Sequence, residues 1–91
     1  MQDVKARKGE SSIQTGGMSQ VVLYNDDVNT FEHVVKTLMQ VFGHPHSVAA
    51  KLAWDAHRSG RTVAEIEDHG KAVQHKGQLA SAQLTAEVEK L

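Results

Sequence analysis

The chain contains no cysteine, one proline and four aromatic residues among its 91 residues. The missing cysteine removes disulfides, thiolate nucleophiles, iron–sulfur clusters and cysteine-based zinc sites together, and it suits a reducing compartment. Neither sign of charge is in excess. Ten lysines and arginines stand against eleven acids, for a net charge of −1, where a nucleic-acid binder carries a clear basic surplus. No apolar run approaches the ~20 residues that a membrane span requires. The start lacks the charged-then-apolar pattern of a secretion signal. The catalytic signatures are missing as well: there is no Gly-x-Ser-x-Gly, no phosphate-cradling glycine loop and no His-Glu-x-x-His. These absences leave a small soluble cytoplasmic domain without a cofactor signature, expected to work as something other than an enzyme.

Residues 1–20 are rich in glycine, serine and charge and show no apolar period, so they are expected to form a disordered extension ahead of a core at 21–91. Val21-Val22-Leu23-Tyr24 suits a strand that stops at the turn-forming cluster Asn25-Asp26-Asp27. Asn29 and Glu32 have the spacing of a capping box, and Phe31, Val34, Val35, Leu38 and Phe42 then form one helical face closed by Gly43. Pro45 fits the first turn of a second helix with Val48, Ala49, Leu52, Ala53 and Ala56 on its buried stripe and Gly60 as its stop. Residues 61–66 alternate as a strand, with Thr62, Ala64 and Ile66 on one face. Glu67-Asp68 opens a third helix to about Ala82, with Ala72, Val73, Lys76, Leu79 and Ala80 on one side, and 84–89 alternate as a last strand. The expected fold is α+β in the order β-α-α-β-α-β: a three-stranded antiparallel sheet with three helices on one face.

Two side-chain groups invite a chemical reading. Asn25, Asp26 and Asp27 follow a strand, and His57 lies one turn beyond Ala53 on the apolar side of the second helix. They can be plain turn, cap and surface residues. They can also form a cage for an ammonium group, which offers three N–H donors and wants an amide oxygen, a carboxylate and an imidazole nitrogen around it. The loop pair His44-x-His46 has metal-ligand character, but a fixed site needs further ligands and a second shell, so a solvated loop is the expectation and no metal is assigned.

The stretch from Val21 to Val35, with Asn25-Asp26-Asp27 ahead of the capped helix, resembles the ClpS family of adaptor proteins. His57 follows Asn25 at that family's interval, and Ala56-His57-Arg58-Ser59-Gly60-Arg61 resembles its second signature. The resemblance is close over about residues 21–66 and looser beyond. It implies an adaptor for regulated proteolysis, which binds proteins beginning with a bulky hydrophobic residue and delivers them to a ClpA- or ClpC-type AAA+ unfoldase coupled to a peptidase. On this reading Asn25, Asp27 and His57, with Asp26 close by, hold the substrate's α-ammonium. Leu23, Asn29, Phe31, Val34, Ala53 and Ala56 line the pocket for its first side chain. Phe31 stands where the family usually has a gating methionine, Ala53 where a methionine is common, and Asn29 where a threonine caps the helix. Two other functions compete: a modulator of the unfoldase that binds no degron, and a small metal-dependent enzyme.

Overall fold

The computed structural model describes residues 17–91. Its elements are β1 (Met18–Tyr24), α1 (Phe31–Phe42), α2 (His46–Ser59), β2 (Arg61–Asp68), α3 (His69–Ser81) and β3 (Ala86–Lys90). The sheet order is β2-β1-β3 with both pairings antiparallel, so the expected α+β architecture is the one observed. Among the described residues no helix is long and apolar enough to cross a membrane.

Val21 and Leu23 project from the central strand into the core, where they meet Val35 and Leu38 of α1, Ala49, Ala53 and Ala56 of α2, and Ala72 and Leu79 of α3. Each large aliphatic side chain buried in this way contributes about 1.5–3 kcal/mol. The alanines of α2 recur at i, i+4 and i+7, which lets that helix sit close to its neighbours. Gly43 and Gly60 both adopt the left-handed conformation that ends α1 and α2, as their positions predict.

Five local expectations need correction. First, β1 begins at Met18, so the boundary at residue 20 falls inside a strand. Ser19 is fully buried with its hydroxyl 2.8 Å from His69 Nδ1, and Gln20 Nε2 donates to Glu89 Oε1 at 2.8 Å. Residues 1–16 of the expected extension lie outside the described residues. Second, Thr30 rather than Asn29 caps α1, with its hydroxyl accepting from the His33 N–H. Third, Pro45 is the N-cap of α2, and Val48 is exposed. Fourth, β2 runs on to Asp68, which caps α3 by accepting from the Gly70 and Lys71 N–H groups. The register shifts between Val21 and Val22, leaving Ala64 as the extra residue. Alternation inverts there, so Ile66 is 52% exposed while Glu67 turns inward to His75 Nδ1 at 2.7 Å. His44 Nε2–H donates to the carbonyl of Ala64 at 2.9 Å, which gives that imidazole a backbone partner in the fold. Fifth, Val73 and Ala80 of α3 face out, and β3 starts two residues later than expected.

The late start of β3 has a specific cause. Gln83 adopts φ 69°, and Gln83 N–H and Leu84 N–H donate to Ala80 and Leu79 carbonyls. This is a Schellman motif with glutamine in the left-handed position, and its two flanking leucines, Leu79 and Leu84, are both buried in the core.

Candidate functional site

A cavity of about 410 Å³ opens where the loop after β1 meets the C-terminal half of α2, a size ordinary for a ligand site. All ten residues singled out in the sequence line it: Leu23, Asn25, Asp26, Asp27, Asn29, Phe31, Val34, Ala53, Ala56 and His57. Tyr24, Trp54 and Leu84 complete the lining. Two backbone bonds bring the loop and the helix together. Gly60, left-handed at the end of α2, donates to the Ala56 carbonyl and accepts from the Asn25 N–H at 3.0 Å. Asn25 is thereby fixed to the last turn of the helix that carries His57.

The six-residue loop from Asn25 to Thr30 divides its side chains between two tasks. Asp26 Oδ1 accepts from the backbone N–H groups of Val28 at 2.9 Å and Asn29 at 2.8 Å, and both its oxygens accept from the Asn29 amide. Partial burial pushes the Asp26 carboxyl up, but these hydrogen bonds, helped by the nearby His33, outweigh it and hold the group below its ordinary 3.8. Asn29 Nδ2 also donates to the Gln83 carbonyl at 2.8 Å, and His33 Nε2–H donates to that of Ala82 at 2.9 Å. The loop is therefore tied to the α3–β3 connection that supplies Leu84. Asp26 and Asn29 shape the site by spending their polar groups on the protein.

Asn25, Asp27 and His57 are exposed, and among the described residues no hydrogen bond occupies their side chains. An amide oxygen, a carboxylate and an imidazole are thus left with acceptor capacity at one cavity. Apart from Asp26 and Asn29, the rest of the lining is apolar or aromatic: Leu23, Ala53, Ala56 and Leu84 are buried, and Val34 is half-buried. Trp54, which the sequence reading passed over, stacks on His57 with ring centroids 5.6 Å apart and planes 29° from parallel. Its position three residues before His57 on a helix was the available signal. Tyr24 carries the Arg61 guanidinium over its ring, at 5.6 Å from the centroid.

Fold and cavity together describe a small α+β domain whose site offers uncommitted acceptors beside an apolar chamber. The family model for the ATP-dependent Clp protease adaptor protein ClpS matches residues 14–88. ClpS proteins of Clostridium acetobutylicum and Helicobacter pylori are 34% and 36% identical over 59 and 61 residues, or 65% and 67% of this chain. The chain belongs to the ClpS family. Those aligned segments span 58% and 68% of the two relatives' own lengths. The structure of a ClpS2 protein of Agrobacterium tumefaciens bound to L-phenylalaninamide is similar in fold, with a TM-score of 0.76 and 24% identity, over 81% of this chain and 96% of that one.

Proposed function

We propose that this protein is a recognition adaptor. It grips the free N-terminus of a polypeptide that begins with a bulky hydrophobic residue and hands that polypeptide to a ClpA- or ClpC-type unfoldase–peptidase in the cytoplasm. The observation that carries the reading is the division of the cavity. Asn25, Asp27 and His57 keep free acceptors for the three donors of an α-ammonium, while the buried apolar lining receives the first side chain. The Asp26 carboxylate, committed to the loop, still adds negative charge beside the ammonium. The ligand of the Agrobacterium protein has this combination, a free amine next to an aromatic side chain. Binding positions the substrate without any bond being made or broken, so no catalytic role is assigned to these residues.

The test is a fluorescence titration with two peptides identical except that one is acetylated at its N-terminal phenylalanine. Acetylation removes the charge and two of the three donors, and binding is expected to vanish. Equal binding of the two peptides overturns the reading. Degradation of a substrate with the same first residue, by a Clp unfoldase–peptidase with and without this protein, tests delivery. Peptide binding without accelerated degradation would leave recognition standing and remove the hand-over.

A further inference from the structure

The chain is poor in aromatic residues, and the way it uses its four is informative. Phe42 is half-buried against the core, flanked by the rings of His44 and His75. Tyr24 lies beneath the Arg61 guanidinium. The other two, Phe31 and Trp54, are 44% and 51% exposed, come from different helices, and line the same cavity. Large aromatic surfaces left in water at one place are more often used for contact than left idle.

Their placement assigns them to a definite part of a ligand. An α-ammonium held by Asn25, Asp27 and His57 fixes the first residue, and its side chain fills the apolar chamber. The rest of the polypeptide then has to leave through the half-exposed part of the lining, which carries Phe31 and Trp54. Trp54 is coupled to the amine-binding end, because its indole lies against the His57 ring. The indole is also the larger of the two surfaces, and it is borne on the middle of a helix rather than on a loop.

The geometry points to Trp54 as a specificity-determining residue: stacked on His57, it forms with Phe31 an apolar subsite for the side chain of the substrate's second residue, and it favours a flat or branched apolar group there over none. This inference rests on the adaptor reading and adds a second selected position to it. A rigid aromatic wall gains contact with an apolar neighbour at low entropic cost, so the gain needs a second side chain and disappears when that residue is glycine.

The experiment uses the full chain and three free-amine peptides that begin Phe-Gly, Phe-Leu and Phe-Tyr and are otherwise identical. The wild type is expected to bind the Leu and Tyr peptides at least fivefold more tightly than the Gly peptide. In Trp54→Ala that ratio is expected to fall below twofold, and Trp54→Phe, which keeps a ring, should retain most of it. The ratio is internal to each variant, so a general change in affinity or stability does not imitate the effect. Equal binding of all three peptides by the wild type overturns the second subsite and leaves the adaptor reading intact. A ratio in Trp54→Ala that matches the wild type overturns the assignment to Trp54. Failure of every free-amine peptide to bind the wild type overturns the adaptor reading, and the subsite falls with it.

Discussion

The two walls of the cavity are built on opposite physical plans. The loop wall, residues 25–29, is polar and heavily hydrogen-bonded, with Asp26 and Asn29 tying it to itself and to the Gln83 carbonyl. The α2 wall, Ala53 to His57, has small apolar side chains and one stacked pair of rings, with no hydrogen bond to the loop side chains among the described residues. On the proposed reading the loop wall, with His57 reaching in from the end of α2, suits the feature that all ligands would share, a free α-amino group, because directional acceptors must be held in fixed positions. On the same reading the small apolar residues of the α2 wall, Ala53 and Ala56, suit the feature that varies, the first side chain, because contact with small residues is graded rather than all-or-none.

The largest expected effect comes from breaking the reader of the shared feature. Asp27→Ala or His57→Ala removes one acceptor of an ammonium while the residue itself is exposed, and this should cost on the order of 2–3 kcal/mol of binding with little change in Tm. Calorimetric titration beside thermal denaturation separates the two quantities. A matching fall in Tm would place these residues in the fold rather than the site. Asn29→Ala attacks the scaffold of the same wall. It removes the donors to Asp26 and Gln83, and the expectation is about 1–2 kcal/mol lost in urea unfolding together with weakened peptide binding. Unchanged stability would show that the loop is held by other bonds.

The opposite wall should respond by retuning. Ala53→Met adds volume to the chamber, and discrimination worth a methylene or two is about 1–3 kcal/mol, so the ranking of Phe, Leu, Trp and Tyr peptides should change while binding persists. An identical ranking would remove Ala53 from the lining that selects. The smallest effect concerns pH. Folding holds the Asp26 carboxyl below its ordinary 3.8, so its ionised form stabilises the fold above that value, and the contribution drains as pH falls through the folded value. The difference in Tm between wild type and Asp26→Asn should therefore be constant from neutral pH to about 4 and shrink below it. A difference that grows on acidification would contradict the hydrogen-bond account of the loop.

What could be read in the sequence, and what could not, follows the same physical division. Patterns carried by neighbouring residues were legible: the strand at Val21–Tyr24 and the left-handed glycines at 43 and 60. The grouping of all ten candidate residues at one cavity was legible only through the resemblance to the ClpS family, since they are spread from 23 to 57. Features set by distant partners were not. Asn29 has better capping chemistry than a loop anchor needs, but Asp26 and Gln83 draw its amide away and leave the cap to Thr30. Ser19 and Gln20 read as polar tail until β3 and His69 provide their partners. Ile66 fits an inward alternation that the bulge at Ala64 reverses, and Gln83 carries no glycine to announce its left-handed turn.

The β2-β1-β3 order also bears on how the molecule comes into being. The strand at the centre of the sheet leaves the ribosome first, and its two partners follow only after one helical hairpin and then a third helix have been made. Until then Val21 and Leu23 have no sheet around them, and the hairpin of α1 and α2, built from contacts close in sequence, is the part that can form early. Closure of the core waits for Leu84 and Ala86, so a nascent chain that stalls before them exposes an unpaired edge of β1 to whatever strand is nearby.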